Sequence, residues 1–123
     1  MFQGLRTVIY HVDDLNKAKA WYTKILGVRP YFDEPFYVGF NVGGFELGLD
    51  PDMKSVTKGN NVITYWGVKD IEASYQKVLE RGAQPQSQVQ EVGDGIRVAT
   101  VTDPFGNVVG LIENPHFKID GGA

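Results

Sequence analysis

The sequence contains no cysteine. Disulfides, thiolate metal sites and cysteine nucleophiles are therefore excluded. It also lacks a basic stripe: 12 Lys and Arg stand against 15 Asp and Glu, for a formal net charge of −3. Nothing in that balance draws a polyanion, so nucleic acid is not an expected partner. No apolar run approaches the ~20 residues that a membrane span needs. The stretch from Met1 to Arg6 lacks the basic and apolar regions of a signal peptide. These absences lead to the expectation of a cytoplasmic protein with no membrane partner. The phosphate loop Gly-x-x-x-x-Gly-Lys and the dinucleotide turn Gly-x-Gly-x-x-Gly are missing too. So is the Gly-x-Ser-x-Gly elbow. The only serines are Ser55, Ser74 and Ser87, in polar or helical segments, which excludes a hydrolase triad.

What is present is an ordinary globular balance, with 42% hydrophobic and 22% charged residues in a chain long enough to bury a core. The 15 glycines fall at turns between short apolar runs, which points to many strands with tight connections. Leu5 to Val12 reads as a strand. Asp14 caps a helix in which Leu15, Ala18, Trp21, Tyr22 and Ile25 recur at helical spacing, and Gly27 ends it. Strands follow at Val28 to Phe32, Phe36 to Val42 and Phe45 to Leu49, separated by turns at Asp33-Glu34-Pro35 and Gly43-Gly44. After a polar linker at 53–60 the pattern repeats. A strand at Val62 to Val68 precedes a helix capped by Asp70 and ended by Gly82. A weak strand near Gln86 to Val92 and strands at Ile96 to Thr102 and Val108 to Ile112 complete it. Val12-Asp13-Asp14-Leu15 aligns with Val68-Lys69-Asp70-Ile71. The expectation is a single α+β domain, 1–123, of two βαβββ modules. Module one covers about 1–52, module two about 61–114, and a tail 115–123.

The run from Val12 to Gly27 resembles the helix signature of the vicinal-oxygen-chelate superfamily, which includes glyoxalases, bleomycin resistance proteins and dioxygenases. Asp103-Pro104-Phe105-Gly106-Asn107 is similar to that superfamily's last hairpin. Tyr37-Val38-Gly39-Phe40, Glu46-Leu47-Gly48-Leu49 and Tyr65-Trp66 resemble an uncharacterised glyoxalase-like subgroup. The resemblance covers nearly the whole chain. It implies the paired-module α+β fold, with sheets that curl around a cup-shaped cavity, and a homodimer; for activity it leaves open lyases, epimerases, dioxygenases, transferases and plain drug-binding proteins.

In the metal-binding relatives, one ligand stands on each of four strands. Those positions fall here on Thr7, Glu46, Ile63 and Gly110. Only Glu46 is a competent ligand, and one carboxylate does not hold a transition metal tightly. No cofactor is therefore expected, and a divalent metal is the disfavoured alternative. The expected ligand pocket comprises Thr7, Ile9, His11, Phe40, Glu46, Ile63, Tyr65, Val98 and Thr100. Glu46 and His11 are the candidate catalytic residues. In an apolar cup Glu46 would have a raised pKa and serve as base or ligand anchor; the alternative is a Glu hydrogen-bonded across the fold. His11 sits about 13 Å along its strand from Thr7, nearer the rim. Phe36, Tyr37 and Phe40 are placed to stack on a planar ligand. Gly48, Gly67 and Gly110 are expected to enlarge the cavity. The leading reading is a binder of a small organic molecule; the alternative is a glyoxalase-type lyase or isomerase with Glu46 as base, one form of which has a rearranged divalent-metal site using His11 and Glu46.

Overall fold

The computed structural model describes residues 1–118; the end of the expected tail, 119–123, lies outside the described residues. The elements run β1 (Thr7–His11), α1 (Leu15–Leu26), β2 (Phe32–Glu34), β3 (Tyr37–Val42), β4 (Phe45–Asp50), β5 (Thr64–Gly67), α2 (Ile71–Glu80), β6 (Gln84–Gly93), β7 (Ile96–Thr102) and β8 (Val108–Glu113). Two four-stranded sheets result, ordered β1-β4-β3-β2 and β5-β8-β7-β6. These orders are the same once the second module is renumbered, so the repeat extends to the pairing of every strand. In each sheet the first strand runs parallel to the last, and the remaining pairs are antiparallel. Neither sheet closes into a barrel.

The helix boundaries follow from local chemistry. Asp14 accepts a hydrogen bond from the Lys17 amide at 3.1 Å, and Asp70 accepts one from the Ala73 amide at 3.1 Å. Each satisfies a donor that the first helical turn leaves unpaired, worth about 1 kcal/mol. Gly27 ends α1 in the left-handed conformation at φ 72°. Each helix covers one face of its own sheet. Tyr10, Val12, Ala18, Tyr22, Val38, Phe40, Leu47 and Leu49 are buried in the first module, as are Ile71, Val78, Ala83, Ala99, Val101, Val109 and Leu111 in the second. Each fully buried large side chain contributes roughly 1.5–3 kcal/mol before entropy is counted.

Two strands depart from the expectation. The first was expected at Val28 to Phe32, but β2 is Phe32–Glu34. Pro30 has no amide hydrogen to give, and pairing begins only where the Tyr31 amide reaches the Gly39 carbonyl at 2.9 Å. Asp33 and Glu34 are thus strand residues, not turn residues. The second is β6, which is ten residues long, with register shifts at Pro85/Ser87, Ser87/Gln90 and Glu91/Gly93. Bulges of this kind break the two-residue alternation, which made the strand look weak.

The chain divides into two compact units, one of Met1–Gly59 with Phe105–Asn107, the other of Asn60–Pro104 and the chain from Val108 on. The expected linker at 53–60 therefore belongs almost wholly to the first unit. Within that unit Lys58 donates to the His11 carbonyl and to Asn107 Oδ1, the latter at 2.8 Å. No helix among the described residues is long and apolar enough to cross a membrane.

Candidate functional site

The face of the first sheet turned away from α1 is laid out by register. Thr7, Glu46 and Asn41 stand level on β1, β4 and β3. Two residues along, Ile9, Gly48, Gly39 and Phe32 form the next row. His11 and Asp50 are level in the third, which Tyr37 and Glu34 extend on β3 and β2. The middle row has glycine at both central positions, and tyrosines fill the space. A Cβ at Gly39 would lie 3.2 Å from Tyr31 Cε1, and one at Gly48 would lie 2.5 Å from Tyr37 Cζ. Each ring lies across a glycine and sends its hydroxyl to the same carboxylate.

That carboxylate is Glu46. Oε1 accepts from Thr7 Oγ1 at 2.6 Å and from Tyr37 Oη at 2.9 Å, while Oε2 accepts from Tyr31 Oη. The Thr7 hydroxyl, followed by that of Tyr31 and, against a smaller effect of burial, that of Tyr37, holds the Glu46 pKa below its ordinary 4.5. The raised pKa expected for Glu46 is corrected: the cup was taken to be apolar, but three hydroxyls stabilise the anion. Burial, then the bond to Glu46, pushes the Tyr37 phenol up to about 12. The Tyr31 phenol is raised chiefly by its hydrogen bond to Glu46. Neither tyrosine is a ready base or nucleophile.

A pH dependence follows. A carboxylate whose folded pKa is depressed adds stability that is complete above its unfolded value of 4.5 and fades as pH falls through the folded value. Glu46→Gln should therefore flatten the loss of stability below pH 4.5 and leave the slope near neutrality unchanged. Denaturant melts at several pH values measure this, and an unchanged acid limb would contradict the assignment.

The other expected site residues are distributed unevenly. Thr7 and Ile9 share the open face with Glu46, and Ile9 is 45% exposed. His11 lies on the same face but at the far row, where its Nδ1 lies 2.9 Å from the Asp52 carbonyl. It shares no hydrogen bond with Glu46. Phe40 is misplaced by the expectation: it is level with Leu47, fully buried, and packs on the helix side. Tyr65, Val98 and Thr100 belong to the second unit. Tyr65, Gly110, Thr100 and Ser87 form one row there, with Thr100 and Ser87 hydroxyls 2.7 Å apart. Thr100 is buried, and Val98 is level with Ile112. Ile63 is exposed and precedes β5. Tyr65 lies over Gly110, where a Cβ would come within 2.6 Å of its Cδ1. The cavity-enlarging role expected of three glycines thus narrows to Gly67, where nothing lies within 4 Å. Gly67 opens onto a recess of about 420 Å³ with Tyr65, Ile112 and Phe117.

The metal ligand set implied by resemblance does not fit these residues. Tyr65 stands five residues before Asp70 as Ile9 does before Asp14, and Tyr65 is level with Gly110 as Ile9 is with Gly48. Gly110 is thus the counterpart of Gly48, and it offers no donor. Ile63 offers none either. Among the described residues no group of three His, Cys, Asp or Glu side chains is placed to hold a metal ion.

Sequence reasoning missed the two tyrosines as partners of Glu46. The available signal was Gly39 and Gly48 beside them on one face, a shelf that only a flat side chain from the same sheet covers.

Comparison with known proteins adds to this geometry. The model of the glyoxalase/bleomycin resistance protein/dioxygenase superfamily matches residues 4–111. The chain is 32% identical over 107 residues to CFP32 of Mycobacterium bovis and of Mycobacterium tuberculosis, whose name proposes a glyoxylase. The match covers 80% of this chain and 41% of each relative, so the chain spans about two-fifths of their length. A glyoxalase-related enzyme from Fulvimarina pelagi superposes with a TM-score of 0.80 at 18% identity, over 98% of this chain and 94% of that one. The fosfomycin resistance protein FosX of Listeria monocytogenes gives 0.77 at 16% identity, over 94% and 97%. Lactoylglutathione lyase of Agrobacterium tumefaciens gives 0.73 at 19% identity, over 98% and 100%. At such identities the structural likeness speaks for the fold alone.

Proposed function

The chain belongs to the glyoxalase/bleomycin resistance protein/dioxygenase superfamily, and on that footing we propose that it binds a small organic molecule on the open face of the first sheet, at Glu46, without a resident metal. The observation that carries the reading is the convergence of Thr7, Tyr31 and Tyr37 on Glu46 within an exposed aromatic face. Three hydrogen bonds fix the carboxylate before any ligand arrives, which lowers the ordering cost of binding. Phe32 and Phe36 pack edge to face at 6.0 Å, and Phe32 lies 6.1 Å from Tyr37. Together they offer apolar area beside a polar anchor, the usual composition of a small-molecule site.

A lyase or isomerase with Glu46 as base has less support. A carboxylate held ionised below its ordinary pKa is a weak proton acceptor near neutral pH, and His11 is bonded elsewhere. The binding reading takes the protein to be cytoplasmic, in keeping with a chain that has no cysteine to oxidise. It also takes the protein to act as a homodimer, as the family resemblance implies.

Ligand-observed NMR against an aromatic fragment set, followed by amide mapping, tests the proposal. Hits should shift the amides of Gly39, Gly48 and Glu46, and a ligand at 100 times its Kd should add about 2.7 kcal/mol of stability. Hits that map only elsewhere, or stoichiometric metal in protein purified without chelator, would overturn it.

A further inference from the structure

Glu46 is stabilised by neutral donors alone. Three hydroxyls bond to it, and none brings a positive charge. The ion pairs of the described residues that are resolved, Lys19–Asp33 and Arg97–Glu72, leave it out. No strand position on the open face carries Lys or Arg, while Glu34 and Asp50 add negative charge in its third row. With no cation of the protein beside it, the carboxylate keeps a negative potential that a ligand would meet, because hydroxyl dipoles spread its charge but do not cancel it.

The rings around it favour the same sign of partner. Tyr31 is 64% exposed and Phe32, in the next row, 38% exposed, so their π-systems are open to a ligand. Aromatic faces attract cations through the ring quadrupole, and rings grouped about an anion are the recurring arrangement for ammonium recognition. A tyrosine that donates to a carboxylate gains electron density on its ring, which strengthens that attraction. An anionic ligand would meet repulsion from Glu46 and no Lys or Arg on the strands of this sheet to offset it. A bare metal ion would lack ligands: Glu46 is the one carboxylate of this cluster, and no group of three His, Cys, Asp or Glu side chains is placed to hold a metal ion among the described residues.

We propose that the ligand of this face is an organic cation: a protonated amine, amidinium or quaternary ammonium on an aromatic body, its charge against Glu46 and its ring among Tyr31, Phe32 and Tyr37. The inference rests on the binding reading above and specifies its chemistry.

Three probes of similar shape separate the possibilities: benzyltrimethylammonium, benzyl alcohol and phenylacetate, each titrated at pH 7 with amide shifts as the readout. The expected order is cation tightest, by tenfold or more over the alcohol, with phenylacetate weakest. The advantage of the cation should shrink as salt is raised. Glu46→Gln should abolish that advantage, so that the cation binds no more tightly than the alcohol to the same variant. Tyr31→Phe, which keeps the charge, should retain most of it, and both variants are checked for folding by circular dichroism. If the alcohol binds this face as tightly as the cation, the charge inference fails and the binding site stands. If none of the three moves Gly39, Gly48 or Glu46, both fail.

Discussion

Gly110→Ala should lower the melting temperature by about 10 °C, on the order of 3 kcal/mol. Gly110 sits in β8, an interior strand of the second sheet, level with Tyr65 on one side and Thr100 on the other. A Cβ there would lie 2.6 Å from Tyr65 Cδ1 and 2.9 Å from the Thr64 carbonyl oxygen. The ring can swing aside. The carbonyl cannot, because β5 is held to β8 by the parallel ladder from Thr64 to Gly67. Relief therefore requires separating two paired strands, which places the cost near the upper end of ordinary overpacking. Thermal unfolding by circular dichroism measures it. Adding Tyr65→Ala should recover only part of the loss, since the clash with Thr64 persists. A single variant melting within about 2 °C of wild type would show that the Thr64 carbonyl does not crowd this position.

Gly48→Ala should act differently, on the site more than on stability. A Cβ at Gly48 would overlap the Tyr37 hydroxyl and lie 2.5 Å from Cζ and 2.9 Å from Cε1. All three atoms are the far end of one side chain, so the ring leaves and the backbone stays. Tyr37 then loses its bond to Glu46, one of the three that hold the carboxylate. Three consequences are expected together. The Glu46 pKa rises toward its ordinary value. The affinity of a ligand on this face falls by about 3–10-fold, because the displaced Tyr37 ring no longer packs where the ligand lies and Glu46 is less ordered before binding. Stability falls by roughly 1–2 kcal/mol, less than for Gly110→Ala. Carboxyl-carbon NMR titration reads the first and ligand titration the second. Tyr37→Phe supplies the control, because it deletes the hydroxyl and leaves the ring on its glycine. A Gly48→Ala protein with an unmoved Glu46 pKa would show that Tyr37 does not depend on that glycine.

Much of the fold was legible because its signals are local. Asp14, Asp70 and Gly27 fix helix ends through bonds within a few residues, and two copies of the pattern reinforce each other. β2 was misread because Pro30 looked like part of a strand, and the missing amide outweighed its apolar neighbours. The site was half legible. Alternation along β4 placed Glu46 opposite Leu47 and Leu49, and the same alternation, counted across the β3–β4 pairing, sends Phe40 to the helix side. The partners of Glu46 were not legible, because Tyr31 and Tyr37 lie fifteen and nine residues away and reach it across neighbouring strands. A glycine in a strand looks the same in sequence whether it opens a cavity or admits a ring. Only the third dimension separates Gly67 from Gly48 and Gly110.

The irregular pairing of β6 bears on how the chain behaves at high concentration. Four glutamines lie within its ten residues, on the border of its sheet. A straight ribbon of that composition would be a template for glutamine ladders between molecules, the seed of fibrous aggregation. The register shifts bend it out of line, and Pro85 withholds one amide hydrogen from any incoming strand. The bulges that hid this strand from its own periodicity also guard it against growth into a fibre.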